Sequence, residues 1–254
     1  MVETGSIQRI SKRTDAADVA TAAYDQLFTV LSDLSPADWT AATECPGWDV
    51  SDTVGHLIGE AKANASLKEN LRQQLWGLRH RREYRGNPLD ATNALQIADH
   101  AVLSHEQRLD VLKELSTAAI RGRRRLPAPM RWISVPLSAG GSAAEGMPRS
   151  VNLGQLVDVV YTRDVWMHTI DILRAIGRVP ALNEALTRRI AEDVVSEWAG
   201  RHGQPVDLTL TGPGGGRYTA GNGGEILELD VVEFCRIVSG RAPGTGLLAT
   251  RVLF

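Results

Sequence analysis

RDVWMHTID, residues 163–171, is the stretch on which the fold reading turns. Read as a helix, it puts Asp164 and His168 four residues apart on one face, with Asp171 three further along that face. Traced backwards, the same line runs through the apolar Val160 and Val157. Charged and polar groups therefore stand where a buried helix carries core residues. Burying each without a partner costs roughly 2–7 kcal/mol, so something must compensate. A carboxylate and an imidazole at this spacing suit a divalent metal whose third ligand comes from another helix. The plain alternative is an Asp–His hydrogen bond in the core, with no metal.

Working outward, this helix reads from Leu153 to Ile176 and is closed by Gly177. Upstream, Val19, Ala22, Ala23, Leu27, Val30 and Leu31 recur at helical spacing and predict a helix from Asp15 to about Leu34. Ser35 and Pro36 suit an N-cap and a first helical position. A turn at Thr43–Trp48 follows, then a helix capped by Asp49 or Ser51, with a stripe of Val50, Val54, Leu57, Ile58 and Ala61, running to about Leu78. Asn87-Pro88 breaks the pattern, and a further helix is expected from Asp90 to Ile120. Residues 1–13 read as polar and frayed, and 121–150 as irregular. The last long helix spans Asn183 to Ala199 and ends near Gly203.

Beyond that point the period changes. Val206–Leu210 and Glu225–Leu229 alternate like strands, Arg217–Thr219 suits a hairpin return, Val231–Val238 suits a helix capped by Asp230, and Arg251–Phe254 suits a last strand. The expected fold class is α+β, with a helical bundle over residues 1–203 and a small α+β domain over 204–254.

Composition narrows the function. The 254 residues are 43% hydrophobic and 23% charged, with a formal net charge of −2, which gives no footing for a nucleic-acid partner. Basic clusters at Arg79–Arg85 and Arg121–Arg125 read as solvated surface. The two cysteines, Cys45 and Cys235, form no CxxC pair, and neither has a base at readable spacing, so a disulfide scaffold and a catalytic cysteine are both disfavoured. With no secretory n- and h-region after Met1 and no stretch long enough to span a bilayer, a cytoplasmic protein without a membrane role is expected. Gly212–Gly216 lacks a Gly-Lys-Ser/Thr ending and reads as a hairpin turn rather than a phosphate loop. His80, His100, His105 and His202 show no usable partner spacing. His56, with Asp52 and Glu60 as its four-residue neighbours, stands beside the apolar stripe, as a solvated histidine would.

Three segments carry a family resemblance. Cys45-Pro46-Gly47-Trp48-Asp49-Val50-Ser51-Asp52-Thr53-Val54-Gly55-His56-Leu57, the stretch from Arg163 to Gly177, and Glu233–Arg241 fall in the order of the signatures of the mycothiol-dependent maleylpyruvate isomerase family. The chain resembles that family over nearly its whole length. The resemblance implies a DinB-like up-down four-helix bundle followed by a small C-terminal domain. It implies a metal on His56, Asp164 and His168, although the acid in the family is a glutamate and Asp164 is one methylene shorter. Two imidazoles and one carboxylate accept zinc, nickel, iron or manganese, zinc foremost, and leave an open position. Mycothiol bound there would lose its proton and become the nucleophile for an electrophilic substrate, giving a thiol-assisted isomerase or an S-transferase in a mycothiol-making actinobacterium. A non-catalytic metal or ligand binder on the same scaffold is the alternative. Trp48 and Trp166 are candidates to line the cofactor pocket, and Arg241 to meet an anionic cofactor or substrate; packing and a solvated loop charge are their alternatives. Asp171 is either a carboxylate orienting an imidazole N–H or a surface residue. Arg163 and Arg174 read as surface ion pairs.

Overall fold

The structure, a computed structural model, describes residues 1–12, 14–137, 147–179 and 181–254. A two-residue strand β1 (Val2–Glu3) opens the chain and is followed by helices α1 (Ala16–Ser32) and α2 (Val50–Ala65). α2 was expected to run on to Leu78. It stops instead where Ser66 turns extended and its side chain accepts the Glu69 amide, starting α3 (Leu67–His80). Similarly, the expected Asp90–Ile120 helix is two: α4 (Pro88–His100) and α5 (His105–Arg125), separated by a Ser104–Gln107 capping box. A short hairpin, β2 (Ser134–Pro136) with β3 (Ser150–Asn152), lies inside the stretch expected to be irregular; its residues 138–146 are outside the described part.

A single turn, α6 (Leu153–Gln155), and a π-helical turn at Leu156–Val160 lead into α7 (Tyr161–Ala175). The π turn interrupts the register, so the line traced back through Val160 and Val157 is not one continuous α-helical face, though both valines are buried. α8 (Glu184–His202) starts at an Asn183 cap and ends at Gly203, whose φ of 63° suits glycine. β4 (Val206–Thr211), β5 (Gly216–Ala220), β6 (Glu225–Asp230) and α9 (Val231–Ser239) complete the chain. The expected strand at Arg251–Phe254 is coil, drawn in by the Val252 amide on the Val238 carbonyl.

α1, α2, α5 and α7 pack as the up-down bundle, with the α3–α4 pair laid along α2. The fold is α+β, and its sheet has the order β1-β5-β4-β6. The N-terminus is therefore not frayed: Val2 and Glu3 pair in parallel with Tyr218 and Thr219 at the sheet edge. It is pinned by Arg9 and the Ile10 amide, both on Asp193 of α8. One hydrophobic cluster runs from Leu27, Leu57 and Met167 in the bundle to Phe234 and Val252 at the far end, so both parts of the chain share a core. Arg163, expected on the surface, is fully buried at 0% exposure and bonds Asp193 at 2.6 Å and the Leu253 carbonyl at 2.9 Å. The reason is that α7 is enclosed on nearly every side and has no solvent face there to offer. No helix among the described residues is long and apolar enough to cross a membrane.

Candidate metal centre

Asp49 starts the site. Its side chain accepts the Asp52 amide and Asp52 returns the contact, a capping box that fixes the first turn of α2 and places His56 inside the bundle. Before it, Cys45-Pro46-Gly47-Trp48 closes as a tight turn: the Trp48 amide donates to the Cys45 carbonyl at 3.0 Å, and Gly47 takes a φ of 82°. Proline at the second position and a left-handed glycine at the third are what a type II turn demands. Glu44 anchors this turn from outside through Arg174 of α7, a surface ion pair as expected, and Arg236 of α9. The turn lays Trp48 over both imidazoles, with ring centroids 5.1 Å from His56 and 6.0 Å from His168.

α2 and α7 bring the three expected ligands together. His56 Nε2 lies 3.3 Å from Asp164 Oδ2, and His168 Nε2 lies 3.4 Å from Asp164 Oδ1. One donor atom from each of the three falls within 4.8 Å of the others. Tetrahedral bonds of about 2.0–2.2 Å would hold ligand atoms about 3.3–3.6 Å apart, and both nitrogen-to-carboxylate distances, each to its own oxygen of Asp164, fall in that range.

Behind these three side chains stands a layer of partners. His168 Nδ1 donates to Asp171 Oδ2 at 2.9 Å, and Asp171 is fully buried and gripped by Arg241 Nε and Nη2, each at 2.9 Å. Asp171 is thus the orienting carboxylate. Arg241 reaches it because Gly240, at a φ of 97°, ends α9 and folds the chain back. His56 Nδ1 meets Gln96 Oε1 of α4 at 2.7 Å. Asp164 is flanked by Glu60, one turn after His56, and Glu60 is held by Arg123 at 2.8 Å. Arg123, read from sequence as solvated, is buried at the end of α5.

Electrostatics follows from these contacts. Burial works against the charged forms of Asp164 and Asp171, yet His168, with His56 beside Asp164 and Arg241 beside Asp171, holds both carboxyls below the ordinary range. Burial would also lower His168, but the Asp164 charge and the Asp171 hydrogen bond carry it up to about 10. Glu60 goes the other way, pushed well above its usual value by burial, with the Asp164 carboxylate adding to the shift.

The sequence profile of the mycothiol maleylpyruvate isomerase N-terminal domain matches residues 20–173, more than half the chain. The chain belongs to that family. Two solved structures of a mycothiol-dependent maleylpyruvate isomerase, one of them a histidine-to-alanine variant, share its fold. The first aligns with a TM-score of 0.55 at 18% identity over 95% of this chain and 93% of that one. The variant aligns with a TM-score of 0.54 at 17% identity over the same shares. No curated protein sequence matches significantly.

In this family member the structure leaves one expected pocket residue out. Trp166 is fully buried in the core and makes no ring contact with either imidazole among the described residues. Two positions past Asp164 on a helix is about 200° around the axis, which turns Trp166 away from the face that carries Asp164 and His168. Spacing also hid several participants. Cys45, without a readable base in sequence, has Sγ 3.7 Å from Asp171 Oδ2 and 3.9 Å from His168 Nδ1. Cys235 is buried, which pushes its thiol up to about 12. Gln96 carried a readable signal: with Thr92 and His100 it forms a buried polar line at four-residue spacing on α4.

Proposed function

We propose that this chain is a metal-dependent enzyme that activates mycothiol for attack on an electrophilic carbon, as a thiol-assisted isomerase or an S-transferase. The observation that carries the reading is the convergence of His56, Asp164 and His168 within 4.8 Å, on two helices of the bundle. These three would hold a divalent cation, zinc foremost, with an open position of the kind catalytic zinc sites keep. Bound there, the cation would depress the pKa of the thiol and orient it.

The rest is the work of the chain. Asp171 fixes the ring of His168, and Arg241 fixes Asp171, so the imidazole is aimed before any ligand arrives. Trp48 covers both imidazoles and limits water on that side. Arg241 Nη1 has no hydrogen-bond partner among the described residues and is the donor left to meet a carboxylate of the substrate. Addition of the thiol across a cis double bond, rotation and elimination return the thiol unchanged. Displacement of a leaving group keeps it on the product.

Elemental analysis of the purified protein and of His168→Ala tests the reading, followed by mycothiol assays with electrophiles. Stoichiometric metal in the wild type, its loss in His168→Ala, and turnover by the loaded wild type alone are expected. Equal metal content in both proteins overturns the ligand set, and metal without any thiol-dependent turnover leaves the non-catalytic binder. Whether mycothiol is consumed separates transferase from isomerase.

A further inference from the structure

The two imidazoles are supported differently. His168 leans on a carboxylate, while His56 leans on a neutral amide, Gln96, whose own orientation can be traced back to a backbone carbonyl. Gln73 of α3 sends its side-chain Nε2 to the Gly59 carbonyl at 2.9 Å and to Glu69 Oε1 at 2.9 Å. Both of those partners are acceptors only, so the amide nitrogen of Gln73 is the atom that must face them. Its Oε1 is then the atom left for Gln96, which donates from Nε2 at 2.8 Å. Gln96 therefore turns its own Oε1 to His56 Nδ1 at 2.7 Å, and an oxygen acceptor there requires the proton on Nδ1. In the neutral ring the lone pair then falls on the other nitrogen, Nε2, which faces Asp164 at 3.3 Å.

All of this is buried: Gln73 is 1% exposed, Gln96 5% and His56 7%. Reversing one amide would set two oxygens or two NH2 groups against each other without water to relieve them, so the chain has one consistent direction. Gly59 makes it reachable. A Cβ there would stand 2.5 Å from Gln96 Cβ and Cγ, so only glycine lets α4 approach α2 closely enough one turn beyond His56.

We infer that Gln96, locked by Gln73, is the positioning residue for His56, holding it as the Nδ1–H tautomer and aiming its Nε2 lone pair at the cation. The role in metal binding rests on the proposed centre; the tautomer does not.

Nitrogen-15 NMR of histidine-labelled, metal-free protein, at a pH where the ring is neutral, reads the tautomer directly. Zinc titration against a competing chelator reads the affinity. The wild type is expected to show His56 as Nδ1–H. Gln96→Met, which lacks the acceptor, should lose that signature and bind zinc about 10- to 100-fold more weakly. Gln96→Glu keeps an acceptor toward Nδ1 and, with its other oxygen protonated, a donor toward Gln73 Oε1, so it should restore both the signature and most of the affinity, which a purely packing role would not do. Gln73→Met should give a mixture of tautomers. An Nε2–H ring in a wild type that binds zinc overturns this inference alone, as does Gln96→Met binding zinc like the wild type, or Gln96→Glu losing zinc as fully as Gln96→Met. An Nδ1–H ring in a wild type that binds no zinc overturns the metal centre and the role of Gln96 in it.

Discussion

Loading zinc into the metal-free protein should expel a proton, and the affinity should climb with pH because of it. His168 is wedged between Asp171 Oδ2 at 2.9 Å and Asp164 Oδ1 at 3.4 Å, and these carboxylates carry it from the ordinary 6.5 up to about 10 against its burial. That shift corresponds to on the order of 5 kcal/mol of preference for the imidazolium. The stabilisation it gives the metal-free fold is complete below pH 6.5 and disappears as the pH rises through about 10. Asp164 and Asp171, both lowered, contribute above the ordinary carboxyl range and cease to do so in acid. A cation needs the neutral ring, so it must displace the His168 proton. One proton per cation means about tenfold tighter zinc for each pH unit between roughly 6.5 and 10, with about three decades of affinity masked at pH 7. Chelator competition at pH 6.5, 7.5 and 8.5 measures the slope, and calorimetry in two buffers of different ionisation enthalpy counts the proton. Asp171→Asn should flatten the profile by letting the proton go at lower pH. Zinc affinity that stays level across that range, with no proton released, would refute the electrostatic reading of the site.

Arg163→Met should destabilise the protein by about 3–5 kcal/mol in urea unfolding, because it leaves the buried Asp193 carboxylate with one arginine fewer. Gly59→Ala should cost about 1–3 kcal/mol of stability through its contact with Gln96 and should also weaken zinc binding, whereas an unchanged melting temperature would mean that α4 moves aside freely. Cys45→Ser should leave zinc affinity within about threefold of the wild type: Cys45, His168 and Asp171 form a second donor cluster, but the Arg241 guanidinium on Asp171 opposes a cation there. A loss of tenfold or more in the same chelator assay would place the thiol among the ligands.

Part of this architecture is legible in the amino-acid order because it is local. The Asp164–His168 spacing, the Asp49 cap, the Gly203 stop and the alternation of β4 and β6 each depend on residues within a turn or a strand of one another. The two missed helix breaks were local too. Ser66, and Ser104 with Gln107, are capping signals, but an apolar stripe that continues on both sides outweighs them when periodicity alone is followed. The N-terminal strand was of another kind, since two residues carry no alternation and their place is set by the edge of β5, more than two hundred residues away in sequence.

The site divides along the same line, and the division says how buried polar residues should be weighed. A polar side chain on a helix face that packs inward states a requirement, because burial without a partner is costly. Sequence shows who makes the demand and not who meets it. Asp164 and His168 show it, and so do Gln96, Glu60 and Arg123, which meet His56, Arg123 and Glu60 respectively on other helices. Arg123 reads as solvated only when its neighbours Arg121, Arg124 and Arg125 are counted with it as one basic run. On a helix, successive residues point 100° apart, so such a run cannot share one environment, and one member of it must turn toward the core. That member is the one that holds Glu60 beside Asp164. A cluster of like charges that wraps a packed helix is therefore a place to look for a buried ion pair, and here that pair stands directly behind Asp164, a proposed metal ligand.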